Sequence, residues 1–174
     1  MLFESVNLTV GAGGAALITG PNGTGKTTLL RIVAGLLAPA AGRVTVHGAR
    51  AWLEEASALD HGLSLRRSLG VWAALDGAGD RVEAALQAVG LGAIGEVPVR
   101  FLSTGQRRRA GIARVIASGA DIWLLDEPGN GLDSAGIGLL EEALARHRAA
   151  GGIAVIATHL PVTLPDAVAI RMAA

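Results

Sequence analysis

Cysteine is absent from this 174-residue chain. Disulfides, thiolate metal ligands and thioether attachment of haem are therefore excluded on it, and the composition suits a reducing compartment. Charge is sparse: only 17% of residues carry any, and fifteen acids balance fifteen bases to a net charge of zero. With neither sign in excess, nothing suggests an electrostatic footprint for nucleic acid. No stretch approaches the roughly 18 uninterrupted apolar residues of a membrane span. The start, Met1-Leu2-Phe3-Glu4, lacks the basic region and apolar run of a signal peptide. Lysine is nearly missing too, since fourteen of the fifteen basic residues are arginine and the exception is Lys26.

What is present is apolar. Hydrophobic residues make up 51% of the chain, enough for one domain that buries about 70% of its extended-chain surface, with some surface left to meet a partner. Lys26 ends the run Gly20-Pro21-Asn22-Gly23-Thr24-Gly25-Lys26-Thr27, with Thr28 following. This is the G-x-x-x-x-G-K-[ST] spacing of a phosphate-binding loop. The flanks agree: residues 15–19 read as a short buried strand, and 26–37 as a helix with Leu29, Leu30, Val33 and Leu36 at helical spacing. Glycines let successive backbone N–H groups face a phosphate at the start of that helix. Lys26 is expected to reach the β- and γ-phosphates of ATP, and Thr27 to hold Mg²⁺. A chain with 25 glycines could also build a plain strand-turn-helix junction, but the flanking elements favour the nucleotide.

The coarse order is strand 6–10, strand 15–19, helix 26–37, strand 43–47, a helical stretch 63–89, a break at 90–98, helix 105–117, strand 122–125, helix 134–149 and strand 153–158. This is an α/β sheet with a helical insertion, at about 60–118, in a single domain.

Three further motifs follow. Ile122-Trp123-Leu124-Leu125-Asp126 is an apolar strand ending in a carboxylate, with Glu127 and Pro128 next. At the C-terminal end of a buried strand Asp126 would stand beside the phosphate loop and hold Mg²⁺ through water. Glu127, one residue on, could deprotonate an attacking water. Ser103, in Leu102-Ser103-Thr104-Gly105-Gln106, reads as a helix N-cap whose free N–H groups could also meet an anion. The triplet Arg107-Arg108-Arg109 reads as a solvated helix face. His159 follows a strand near the same sheet edge and could contact the γ-phosphate or the water. His47, His61 and His147 read as solvated, and Trp72 and Trp123 as core.

Together these motifs resemble the ATP-binding subunit of an ATP-binding cassette (ABC) transporter, a P-loop NTPase fold with a helical subdomain. Residues 20–27 match Walker A, 102–106 the family signature, 124–127 Walker B with its glutamate, 131–133 the D-loop and His159 the switch histidine. The resemblance implies an ATPase using Mg²⁺ and a head-to-tail homodimer. In it Ser103, Gly105, Gln106 and Asp133 of one copy help to enclose ATP on the Walker loop of the other. It also implies integral membrane permease subunits, at the cytoplasmic face of the bacterial inner membrane, and no nucleic-acid partner. Residues 31–37, 63–69, 72–75, 101–109 and 157–161 resemble one branch, the ATPase of haem export in cytochrome c maturation.

Two departures stand out. Glu55 occupies the position of the family's Q-loop glutamine, where a carboxylate could meet Mg²⁺ or water. The aromatic that stacks on adenine in the family would fall before Met1. Among other classes, a GTPase's Asn-Lys-x-Asp reader is impossible when the only lysine is Lys26. The main rival is a soluble ABC ATPase serving a cofactor-assembly scaffold, and a non-hydrolysing scaffold is weakened by Asp126, Glu127 and His159.

Overall fold

The computed structural model describes residues 3–54, 58–160 and 162–173. Five strands, β1 (Ala15–Thr19), β2 (Arg50–Leu53), β3 (Ile122–Asp126), β4 (Ile153–Ala157) and β5 (Val168–Arg171), form one parallel sheet in the order β2-β3-β4-β1-β5. The α-helices among the described residues are α1 (Lys26–Ala34), α2 (Leu65–Leu75), α3 (Val82–Ala88), α4 (Thr104–Ser118) and α5 (Ser134–Ala149). No helix among the described residues is long and apolar enough to cross a membrane.

Strand alternation splits the core into two layers. Ile122 and Leu124 of β3 join Ala16, Ile18, Leu29 and Leu30 under α1. Trp123 and Leu125 face the other way, into the larger cluster with α2 to α5. All five β3 residues are buried, as expected of an inner parallel strand covered on both faces. α2 and α3 pack on α4, which also lies against β2 and α5.

The structure corrects several expectations. Residues 6–10 and 43–47 form no strand. Val6, Leu8 and Val10 do alternate inward against the α1-side cluster, but one-sided burial gives a period of two without a ladder. The edge position beside β3 goes instead to β2, anchored where Ala49 N donates to Asp121 Oδ2 at 2.8 Å and Ile122 N donates to Ala49 O at 3.0 Å. Helix α1 stops at Gly35, whose φ of 79° terminates it, and Leu36 is 70% exposed rather than core. β5 has no counterpart in the sequence reading.

His147 is not solvated: its ring stacks on Trp123, centroids 3.9 Å apart and 9° from parallel, and a ring nitrogen lies 3.2 Å from Ile153 O. Trp123 is core as expected, whereas Trp72 is half-buried with its indole N–H donating to Ala58 O at 2.6 Å.

Burial holds the His147 imidazole below its ordinary pKa, against the opposing pull of the Ile153 carbonyl and Asp121. Unfolded, the ring takes up its proton near pH ~6.5; folded, it does so at lower pH. As pH falls below about 6.5 the unfolded chain binds the extra proton first, and stability declines. His147→Phe keeps the stack and removes the proton site. Thermal denaturation at about pH 7.5 and about pH 5.5 is expected to show a smaller acid-induced drop in Tm for His147→Phe than for wild type. Equal drops would exclude His147 as a source of the acid sensitivity.

Candidate functional site

Register sets the site. Ile18 pairs with Ala157, and Ala157 pairs with Asp126 on its other side, so β1, β4 and β3 end level. Whatever follows each strand must meet there. A cavity of about 400 Å³ opens at this edge, lined by Asn22, Gly23, Gly25, Lys26, Thr27, Thr28, Asp126, Glu127, Asn130 and His159.

The loop between β1 and α1 turns on glycines at φ 84° (Gly23) and 96° (Gly25), conformations that a Cβ would strain. Thr24 is buried, its hydroxyl donating to Pro21 O at 3.0 Å. The Lys26 ammonium folds back, donating to Gly20 O at 2.8 Å and Pro21 O at 3.1 Å, and stands 3.8 Å from Glu127 Oε1. It is 7% exposed, so its donors sit on carbonyls that a phosphate could replace.

Thr27 Oγ1 donates to Asp126 Oδ2 at 2.6 Å, across 99 residues of sequence. Burial pushes the Asp126 carboxyl up, and the Thr27 hydroxyl, Arg108 and Lys26 only partly offset this. Among the described residues no cluster of three or more acids and histidines could hold a metal alone. One carboxylate and one hydroxyl beside a phosphate loop do suit Mg²⁺, which prefers hard oxygen donors and completes its shell with substrate phosphates and water. The buried Asp126 charge would gain from such a cation.

Glu127 adopts φ 47°, unusual for a residue with a Cβ. Its Oε2 lies 2.9 Å from His159 Nδ1 and accepts from His159 N at 3.2 Å. Burial raises its carboxyl, but the bonds from His159 and Thr158 outweigh that, so it sits below the usual range and is ionised at neutral pH.

The remaining predicted residues stand elsewhere. Ser103, Gly105 and Gln106 do not line the cavity. They open α4 in a capping box: Gln106 N donates to Ser103 Oγ at 3.2 Å and Ser103 N to Gln106 Oε1 at 2.8 Å. Asp133 caps α5, accepting from Gly136 N at 2.7 Å. Gly20 and Pro21 supply carbonyls to Lys26 rather than lining. Glu55 lies outside the described residues.

Two residues escaped sequence reasoning. Asn130 lines the cavity from the turn after Glu127. Arg108, expected on a solvated face, is buried at 8% exposure and bonded to backbone carbonyls. Its spacing held the signal: Arg108 precedes the buried Ile112 and Val115 by four and seven residues, on the apolar stripe of α4. Arg109 likewise donates to Val89 O at 3.0 Å.

Residues 3–130 match the ABC transporter family. The chain is similar to the cytochrome c biogenesis ATP-binding export protein CcmA of Sphingopyxis alaskensis, 50% identical over 95% of this chain and 86% of the relative. The protein of the same name from Rhodospirillum rubrum is 45% identical over 98% of this chain and 79% of its own length. Among solved structures, a metal-chelate type ABC transporter in an inward-facing conformation superposes with a TM-score of 0.81 at 25% identity, over 91% of this chain and 68% of the other.

A Cβ on Gly20 would collide with the carbonyl oxygen of Met172 and stand 3.1 Å from Thr24 Oγ1. Gly20→Ala is therefore expected to distort the loop at a cost of about 1–3 kcal/mol, weakening nucleotide binding roughly 5- to 150-fold. Titration with a fluorescent ATP analogue measures this, and unaltered affinity would show that the loop tolerates the displacement.

Proposed function

The chain belongs to the ABC transporter family, and from that premise we propose that it is the ATP-hydrolysing subunit of a haem-export complex in cytochrome c biogenesis. It works as a head-to-tail homodimer on integral membrane permease subunits, at the cytoplasmic face of the bacterial inner membrane. The ATPase reading is carried by one observation: Lys26, Thr27, Asp126, Glu127 and His159 converge on one cavity. The cytochrome branch is supported by the relatives at 50% and 45% identity, themselves named for that process.

The chemistry follows from the groups in place. The backbone N–H groups of residues 22–27 at the start of α1 bind the phosphates, helped by the positive end of the helix. Lys26 exchanges the Gly20 and Pro21 carbonyls for phosphate oxygens, which also loosens its hold on Glu127. Thr27 and Asp126 would hold Mg²⁺, which when bound neutralises phosphate charge. Glu127, ionised at neutral pH, accepts a proton from water as its oxygen attacks the γ-phosphorus and the bond to the ADP oxygen breaks. His159, bonded to Glu127 Oε2, orients that carboxylate and reaches the same cavity.

The dimer explains the residues that stand apart. Ser103 and Thr104 are exposed at the N-terminus of a 15-residue helix and leave their own cavity untouched. Completing the second copy's site gives that terminus an anion to meet. The helices at about 60–118 form the subdomain facing the permease.

Glu127→Gln is expected to retain ATP binding while losing about 10²–10⁴-fold in turnover, as removal of a general base does. Lys26→Ala should lose binding itself. Phosphate release and equilibrium binding measure the two, and equal hydrolysis by wild type and Glu127→Gln would strip Glu127 of its role. With Mg-ATP, the Glu127→Gln protein is expected to dimerise in light scattering, and Ser103→Arg to abolish this without lowering monomer affinity. In cells, Lys26→Ala should remove haem-stained c-type cytochromes. Unchanged cytochromes, with the protein absent from membrane fractions, would favour the assembly-scaffold ATPase.

A further inference from the structure

Arg108 is a buried cation that the chemistry above does not use. Its Nη2 donates to the carbonyls of Asp126 and of Glu127, the latter at 2.6 Å, and its Nε to Pro128 O at 3.3 Å. Its Nη1 donates to Glu54 O at 2.6 Å. One guanidinium thus gathers three consecutive carbonyls, from the last residue of β3 and the two that follow it, and one after β2.

Consecutive carbonyls of an extended strand point to alternate sides. They can converge on one point only if the chain turns, and the turn here is Glu127 at φ 47°. A residue with a Cβ is sterically disfavoured in that region. Hydrogen bonds from a charged donor are the strong ones, and Arg108 directs several of them at this corner, so its fork holds the turn. The same turn sends the Glu127 carboxylate to within 3.8 Å of Lys26 and 2.9 Å of His159.

We propose that Arg108 is a positioning residue for Glu127, fixing the backbone turn that aims the carboxylate and tying it to α4. The inference rests on the reading of Glu127 as general base. A lysine could not substitute, because one ammonium on a flexible stem lacks the planar fork of donors. Ser103 caps α4, so Arg108 links the helix that carries that terminus to the Glu127 backbone.

The test compares Arg108→Lys and Arg108→Gln with wild type, with turnover counted per ATP-binding site so that unfolded protein alters neither number. Misplacing a catalytic group by about 1 Å costs up to roughly 100-fold. Both variants are expected to lose about 10- to 100-fold in kcat while KM and Kd for ATP stay within about twofold. In a Glu127→Gln background, Arg108→Lys should leave the residual single-turnover rate unchanged, because the carboxylate it positions is gone. Wild-type kcat per site in both variants, or the same fold-loss in the Glu127→Gln background, would overturn the inference. Full turnover by Glu127→Gln alone would overturn the general-base reading and this inference with it. Loss in Glu127→Gln beside full turnover in both Arg108 variants would overturn the positioning role only.

Discussion

The level ending of three parallel strands is the constraint on which the site depends. With β4 between β1 and β3, the residues after each strand have one place to go. Glu127 N donates to Ala157 O at 2.7 Å and Thr158 N to Ile18 O at 3.0 Å, which carries the pairing one step past the strands. The phosphate loop, the Asp126-Glu127 corner and His159 are therefore neighbours by register, before any side chain contacts another. The Thr27–Asp126 bond and the Glu127–His159 pair are consequences of that alignment. Ligand sites in open parallel sheets lie at such strand ends for the same reason.

Arginine takes a second role that its abundance in the sequence does not announce. Arg108, Arg109, Arg114 and Arg148 all donate to backbone carbonyls, in loops, at an element end or, for Arg114, on the edge strand β2. Arg148, for example, joins Gly13 O at 3.0 Å to Pro165 O at 2.8 Å. In a chain with a small charged fraction these groups act less as surface charge than as connectors for orphan carbonyls. A forked, permanently charged donor suits that task, whereas Lys26, a compact ammonium on a flexible stem, donates to two carbonyls of its own loop.

Much of this was legible beforehand. The run 122–126 is apolar enough to be an inner strand, the glycines and Lys26 fix the loop, and helix 134–149 appeared with its bounds. Legibility failed where two physical causes give one pattern. Alternation at Val6, Leu8 and Val10 reports one-sided burial whether or not a ladder forms. β5 is short and largely exposed, so it lacks the apolar signal of an inner strand. Of three adjacent arginines, only the phase of the whole helix shows which turns inward. His147 has no place at the sheet edge and so reads as solvated, yet its flat ring packs against Trp123. The capping box at Ser103 was readable as a cap, while its separation from the cavity is set by how α4 packs in the fold.

β5 carries one more implication. Met172 N donates to Thr19 O at 2.7 Å, and the Met172 carbonyl lies against Gly20, within clashing distance of any Cβ there. The residue that follows the edge strand β5 thus lies against the start of the phosphate loop. Edge strands fray at the low end of a protein's local stability, so opening of β5 and disorder of the loop belong to one equilibrium. By thermodynamic reciprocity, an occupied nucleotide site must slow amide exchange along residues 168–172 by the factor with which fraying there weakens affinity. The far edge of the sheet therefore reports on occupancy of the cavity without touching the ligand.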